Sequence, residues 1–115
     1  MRLLVCGGRD FNDRDYIFSC LDRFHALHSI DVLIDGGAPG ADSIANEWAT
    51  DQEIQTDRYF ADWKAFGPGA GPIRNTQMLI EGKPDVVLAF PGGNGTKNML
   101  GQARKAKVKI FIAGI

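Results

Sequence analysis

The sequence predicts an α/β fold, a Rossmann-like three-layer sandwich in which a mostly parallel sheet has helices on both faces. Short apolar runs alternate with segments of helical periodicity, and the connections are short, which is typical of a parallel sheet with right-handed crossovers. Three glycine-rich segments, beginning at Gly7, Gly36 and Gly92, each follow an apolar run directly. The 115 residues, 44% of them hydrophobic, suit one domain spanning residues 1–115.

The first half of the chain predicts three strands and two helices. The strands are expected at residues 3–6 and 32–34 and, with a weaker alternation, at residues 55–60. The first helix is predicted from about Asp13 to His28, with Asn12 or Asp13 as its N-cap. The second helix follows the segment at residues 36–42 and carries Trp48 on its apolar stripe, which places this indole in the core.

The second half begins with residues 61–71, which we predict to be a long irregular segment of the kind that often has a function. The next helix is expected to start at Pro72 and stop at Gly82, which puts Arg74 in its first turn. A buried strand at residues 86–90 then leads through residues 91–96 into a helix from Thr96 to about Ala106. Its spacing predicts that Met99, Leu100 and Ala103 face inward. The last strand is expected at Lys109–Ile112.

Composition and charge argue against several classes of protein. The formal net charge of -1 gives no overall attraction to nucleic acid. No apolar run approaches the ~20 residues that a membrane-spanning helix needs, and the run at residues 3–6 is too short for a signal peptide. Cys6 and Cys20 are expected to be buried thiols without metal-ligand spacing. We therefore expect a cytoplasmic protein with no metal site and no membrane partner.

The three glycine-rich segments are expected to form one ligand crevice. The carboxyl ends of parallel strands meet at one edge of the sheet, where such folds bind ligands. At residues 91–96 the glycines let backbone N–H groups approach a ligand, and the following helix directs its free N–H groups and positive dipole end into the same space. A phosphate fits this pattern; the alternative is a tight turn without a ligand.

The first and third segments are predicted to bind the anionic part of the ligand. Their residues are Gly7, Gly8, Arg9, Asp10, Gly92, Gly93, Gly95 and Thr96. The glycines would supply backbone donors and Thr96 a hydroxyl. The Arg9 guanidinium can bind a phosphate through two parallel hydrogen bonds, unless Arg9 and Asp10 form a surface pair instead.

The second segment is predicted to hold another polar part of the ligand, such as a ribose. Its binding residues are Gly36, Gly37, Ala38, Gly40, Ala41 and Asp42. The carboxylates of Asp35 and Asp42 are suitable acceptors for hydroxyl groups. The alternatives are a turn bond for Asp35 and helix capping for Asp42.

Two further side chains are candidates because of their positions in the predicted elements. Trp63 lies off any apolar stripe, so it either stacks on a base, covers the crevice or anchors its own loop. Arg74 places a cation where it opposes the helix dipole, and an anionic ligand in front of the helix would compensate for this.

Taken together, these segments resemble the YspA, cpYpsA-related branch of the SLOG superfamily. The resemblance rests on residues 7–11, 35–42, 62–63, 70–75 and 90–96 and covers nearly the whole chain. It implies a Rossmann-like domain that binds a nucleotide or nucleotide-derived ligand, with Asn75 among the binding residues. It also implies a bacterial or phage origin and a homodimer.

A more distant resemblance is to the lonely-guy phosphoribohydrolases, which release a base from a nucleoside 5′-monophosphate. Their signature has an arginine upstream of Pro-Gly-Gly-x-Gly-Thr-x-x-Glu, and Arg74, Met78 and residues 91–96 are similar to it. The glutamate position, which we expect to face the ligand, falls on Met99, and methionine neither carries charge nor moves a proton. This departure predicts a poor hydrolase or none.

The function predicted is therefore binding of a nucleotide-type ligand, as a sensor or a processing domain, with no other cofactor. One alternative is a phosphoribohydrolase-like enzyme that combines Arg74 with a substitute acid, Asp10, Asp35 or Asp42. Another is an accessory module for processing single-stranded DNA, against which the charge and the lack of a basic aromatic stripe both count.

Overall fold

The computed structural model describes residues 1–113, in which five parallel strands form one sheet with helices on both faces. The strands are β1 (Arg2–Cys6), β2 (Val32–Asp35), β3 (Gln55–Arg58), β4 (Val86–Ala89) and β5 (Lys109–Ile112). The helices are α1 (Arg14–His28), α2 (Ala41–Asp51), α3 (Trp63–Phe66), α4 (Ala70–Gly82) and α5 (Asn94–Lys105), with a 3-10 turn at Gly67–Gly69. The predicted Rossmann-like α/β fold is confirmed.

The strand order, β3-β2-β1-β4-β5, creates a switch point between β1 and β4. The chain builds outward from β1 through β2 to β3, and then crosses back to place β4 on the other side of β1. Leu4 of β1 pairs with Ile34 of β2 and with Val87 of β4. The loops that follow β1 and β4 therefore start side by side, where open parallel sheets form ligand crevices.

The core has two layers because β1, β2 and β4 are buried on both faces. Leu3 and Val5 of β1 pack with residues of α1 and α2, whereas Leu4 and Cys6 pack with residues of α4 and α5. Trp48 is buried in the first layer as predicted, and its Nε1 donates to Asp22 Oδ1 at 2.8 Å. Strands buried on both faces need continuous apolar runs, which is why the sequence showed them clearly.

We expected residues 61–71 to be irregular, but most of this segment is helical. The Asp62 carboxylate accepts a hydrogen bond from Ala65 N at 3.0 Å and caps α3. The 3-10 turn follows, and α4 begins at Ala70 rather than at Pro72. Proline is tolerated there because the N–H groups of the first helical turn have no intrahelical acceptor. Arg74 consequently lies in the second turn of α4, not in the first.

Smaller differences concern the ends of other elements. Gly82 is the last residue of α4, and the left-handed residue after it is Lys83, with φ of 47°. Helix α5 begins at Asn94, two residues before the predicted start. Of the two predicted caps of α1, Asp13 is the one that caps, because its carboxylate accepts from Tyr16 N. Cys6 is buried as expected, but Cys20 is only half-buried.

The described helices include no membrane-spanning candidate, because none is both long and apolar enough.

Candidate functional site

A cleft of about 730 Å³ opens at the carboxyl edge of the sheet, and all three glycine-rich segments contribute to it. We call residues 7–11 the first loop, residues 36–40 the second loop and residues 91–93 the third loop. The predicted site residues that line the cleft are Gly7, Gly8, Arg9, Asp10, Ala38, Asp42, Trp63, Arg74, Asn75, Gly92, Gly93, Gly95 and Thr96. Its volume falls in the range of small-molecule sites.

The remaining predicted residues lie outside this cleft. Gly36 and Gly37 line a neighbouring pocket of about 160 Å³, which shares Arg9, Trp63 and Arg74 with the cleft. Gly40, Ala41 and Asp35 line neither space. These residues therefore lie behind the wall of the cleft.

The three loops are packed against one another. Gly8 N donates to Pro91 O at 2.7 Å and joins the first loop to the third. Ala41 N donates to Gly8 O at 3.2 Å and joins the first loop to the start of α2. A Cβ on Gly7 would lie 2.6 Å from Ala41 Cβ, and a Cβ on Gly40 would collide with Gly8 O. Glycine is required at both positions because the backbones approach so closely.

The start of α5, directly after the third loop, presents unpaired backbone donors to the cleft. The first intrahelical hydrogen bond of α5 runs from Lys97 N to Gly93 O at 3.0 Å, so the N–H groups of Asn94, Gly95 and Thr96 have no intrahelical acceptor. Gly93 provides no side-chain cap. The positive end of the helix dipole adds to the attraction of these donors for an anion.

Arg74 connects the second loop to α4. Its Nη1 donates to Gly36 O, and its Nε donates to Asn75 Oδ1 at 3.0 Å. Burial lowers the pKa of the guanidinium, while the charge of Asp42 raises it and that of Arg9 lowers it. An arginine remains charged under all these influences. Two cations, Arg9 and Arg74, therefore face the same cleft.

Asp42 is a buried carboxyl with one oxygen left for a ligand. It is 5% exposed, and its Oδ2 accepts from Gly36 N at 3.0 Å and from Ala38 N at 3.4 Å. Burial raises the pKa of Asp42 to about 6, helped by the nearby charge of Asp35 and opposed by these backbone hydrogen bonds and by Arg74. Within residues 1–113 its Oδ1 has no hydrogen-bond partner and is not sealed from solvent. The N-cap of α2 is Gly40, so Asp42 does not cap this helix.

Both carboxylate oxygens of Asp35 accept hydrogen bonds from other residues of the protein. It is fully buried, and its Oδ1 accepts from Gly37 N at 2.8 Å and from Arg58 Nε at 3.0 Å. Its Oδ2 accepts from Asn46 Nδ2 at 3.3 Å. Burial raises the pKa of Asp35, and the hydrogen bond from Gly37 N and the ion pair with Arg58 oppose that shift. The turn bond that we considered as the alternative is present, and these contacts hold the start of the second loop.

Trp63 forms one wall of the cleft. Its indole is 49% exposed and lies against the first turn of α4, because a Cβ on Gly71 would be 3.3 Å from the ring. The residue is thus anchored and also faces the cleft. In the first loop, Arg9 and Asp10 are both exposed, and the described residues show no ion pair between them.

The cleft is also lined by residues that we did not predict as site residues. They are Cys6, Phe11, Pro68, Pro72, Met78, Pro91, Asn94 and Asn98. Burial raises the pKa of the Cys6 thiol to about 12, so this thiol stays neutral. The spacing of Asn94 and Asn98, four residues apart on one face of α5, was the signal available in the sequence.

The inward orientation that helical spacing predicts for Met99 is confirmed, whereas the orientation toward the ligand expected from the phosphoribohydrolase signature is wrong. Met99 is fully buried and packs in the layer that contains Leu4 and Met78. Asn98 lines the cleft in its place. Packing sets the rotation of α5 about its axis, with Met99 and Ala103 directed to the core.

The chain was also compared with known proteins. Residues 1–66 match the family described as the YspA, cpYpsA-related SLOG family. The gene 61 protein of Mycobacterium phage D29 is 36% identical over 121 residues, which cover 98% of this chain and 96% of that protein. The chain therefore belongs to the YspA, cpYpsA-related SLOG family, and its phage relative fits the expected bacterial or phage origin.

A similar fold is found in the X-ray structure of TM1055. The TM-score is 0.72 at 18% identity, and the match covers 96% of this chain and 72% of that chain. At this identity the likeness shows the fold alone. The family match ends at residue 66, before Arg74 and the third loop, whereas the match to the phage protein extends over nearly all of the chain.

Proposed function

We propose that the cleft binds a nucleotide or nucleotide-derived ligand through its phosphate. The observation that carries the proposal is the start of α5, where three N–H groups without intrahelical acceptors lie in a cleft that also contains Arg9 and Arg74. Donors and charges of this kind suit a phosphate. Membership of the SLOG family supports a nucleotide-related role.

The other walls suit the rest of a nucleotide. The free Oδ1 of Asp42 is an acceptor for a sugar hydroxyl. Trp63 and Phe11 supply aromatic surface on which a base could stack. The proposed ligand therefore has an anionic group, a hydroxylated group and a planar group.

Calorimetry with matched pairs of ligands tests this proposal. We expect AMP, GMP, CMP or UMP to bind at least about tenfold more tightly than the corresponding nucleoside, because charge-assisted hydrogen bonds contribute roughly 1.5–3 kcal/mol each. Equal affinity for nucleotide and nucleoside, or no binding of either, would contradict a phosphate site. Mass spectrometry of small molecules that co-purify with the protein would then identify the natural ligand.

A second candidate function is hydrolysis of a nucleoside monophosphate, and Asp42 is the observation that favours it. Cleavage of the bond from sugar to base builds positive charge on the sugar and needs a positioned carboxylate or base. Asp42 has a pKa of about 6 and lies in the cleft with Arg74. It is better suited than Asp35 to replace the missing glutamate, since Asp35 is held by Arg58.

We nevertheless expect the wild-type protein to release little or no base from nucleoside monophosphates. Loss of a positioned acid–base group typically lowers rates by roughly 10² to 10⁴. The measurement is chromatography of free base after incubation with each monophosphate. Robust turnover that disappears in Asp42→Asn would establish the hydrolase instead. Met99→Glu is unsuitable as a gain-of-function variant, because it would bury a carboxylate in an apolar layer.

The homodimer implied by the family resemblance stays a proposal. It is supported by Ile73 and Ile80, which lie seven residues apart on α4 and are 47% and 66% exposed. Exposed apolar side chains on one helix face suit a contact with a second copy. Sedimentation velocity would measure the oligomeric state directly.

A further inference from the structure

Three side-chain amides form a continuous chain between α4 and α5 along the wall of the cleft. Asn75 Nδ2 donates to Asn98 Oδ1 at 3.1 Å and to Gly95 O at 3.3 Å. Gln102 Nε2 donates to the same Asn98 Oδ1 at 2.8 Å and to Pro72 O at 3.1 Å. The Asn98 oxygen therefore receives two hydrogen bonds, one from each neighbour.

Fixed partners determine which way each amide points. Backbone carbonyls only accept, so the atoms that face Pro72 O and Gly95 O must be the NH₂ groups of Gln102 and Asn75. Arg74 Nε only donates, so the Asn75 atom that faces it is the oxygen. With both neighbours directing NH₂ groups at Asn98, the receiving atom of Asn98 is its oxygen.

The opposite end of the Asn98 amide is therefore an NH₂ group. Among the described residues this Nδ2 has no hydrogen-bond partner, and no buried side-chain nitrogen or oxygen lacks one. The Nδ2 consequently remains accessible, and Asn98 lines the cleft. Asn75 differs, because its oxygen and its NH₂ group are both occupied by the protein. Asn75 is thus a positioning residue that holds Asn98.

We propose that Asn98 Nδ2 donates a hydrogen bond to a sugar oxygen of a phosphorylated sugar bound in the cleft. This inference rests on the proposed phosphate site at the start of α5. Asn98 lies four residues after Asn94, about 6 Å further along the helix. In a sugar phosphate, the ring oxygen and hydroxyl groups lie a few bonds from the phosphorus. Asn98 therefore distinguishes a sugar phosphate from phosphate alone.

Asn98→Asp separates this role from the structural one. An aspartate oxygen still accepts from Asn75 and Gln102, so the link between α4 and α5 is retained while the donor in the cleft is lost. The new negative charge will also weaken phosphate binding, so the informative quantity is the ratio of the affinities for AMP and inorganic phosphate. Gln52→Glu, beyond the C-terminal end of α2 and away from the cleft, adds the same charge as a control.

We expect the AMP-to-phosphate affinity ratio to fall about tenfold in Asn98→Asp and to stay unchanged in Gln52→Glu. Thermal unfolding checks that both variants fold. If both ligands still bind and the ratio is unchanged in Asn98→Asp, Asn98 does not contact the sugar, and the phosphate site stands. If the wild-type protein binds neither inorganic phosphate nor any of AMP, GMP, CMP and UMP, the proposed function is wrong and this inference fails with it.

Discussion

Replacing Gly93 with valine is expected to abolish measurable binding of phosphate-bearing ligands while the protein stays folded. Gly93 lies immediately before the unpaired N–H groups of α5. A Cβ at this position meets no atom within 4 Å, so the added side chain starts in open space next to those donors. Loss of two charge-assisted hydrogen bonds alone costs roughly 3 kcal/mol or more, which is at least about 100-fold in affinity.

Gly101→Val is the matched control for this variant. Gly101 lies on the same helix, a Cβ there also meets no atom within 4 Å, and the residue does not line the cleft. Calorimetry with AMP and inorganic phosphate should show wild-type affinity for Gly101→Val and none for Gly93→Val. Chemical denaturation should show a cooperative transition for both. Unchanged affinity in Gly93→Val would exclude the start of α5 as the anion site.

Replacing Asp42 with asparagine is expected to stabilise the protein above pH 6 and to weaken ligand binding. The fold raises the pKa of Asp42 from 3.8 to about 6, mainly through burial, so the ionised carboxylate costs more in the folded state than in the unfolded chain. The stability associated with the neutral form is present below pH 4 and is lost as the pH rises through 6. The rise of the pKa from 3.8 to about 6 corresponds to at most ~3 kcal/mol.

The free energy of unfolding should therefore be measured between pH 4 and pH 8. We expect Asp42→Asn to exceed the wild type at pH 7.5 by about 1–3 kcal/mol and to approach it at pH 4. Burial also raises the pKa of Asp35, and the charge of Asp35 raises the pKa of Asp42, so the difference between the two proteins reports Asp42 together with its interaction with Asp35. Asp51→Asn, at the exposed end of α2, controls for the loss of one carboxylate. If the free energies of unfolding of the wild type and Asp42→Asn changed in parallel with pH, burial of Asp42 would not cost stability at neutral pH.

A more stable but weaker-binding Asp42→Asn would explain why the protein keeps a buried carboxyl that lowers its stability. The free Oδ1 would accept a ligand hydroxyl, and an asparagine amide cannot provide the same charge. Stabilising substitutions at binding sites often have this cost.

The fold could be predicted because its central strands are buried on both faces and each ends at a glycine-rich segment. The apolar runs of β1, β2 and β4 carry that information locally. Helix α3 could not be predicted in the same way. It has four residues, too few for a hydrophobic period, and its first turn is capped by the Asp62 carboxylate, which accepts from Ala65 N.

The candidate site was predictable only in outline. Strand ends indicated which loops meet, and helical spacing placed Met99 and Ala103 in the core. The position of Asn98 at the cleft, by contrast, depends on how α5 packs against the rest of the protein. Likewise, Asp35 is occupied by Arg58, which is 23 residues away in the chain and lies on β3. Contacts between distant residues of this kind leave no periodic signal in one sequence.

The close packing of the three loops has a consequence for the thermodynamics of association. Gly8, Pro91 and Ala41 are already joined by backbone hydrogen bonds, and the glycines at positions 7 and 40 leave no gap between the loops. Because the three loops are already held together, they would lose little conformational entropy when a small molecule binds. More of the contact energy would then be retained as affinity. For the proposed ligand, this packing favours recognition by the existing shape of the cleft rather than by closure of the loops.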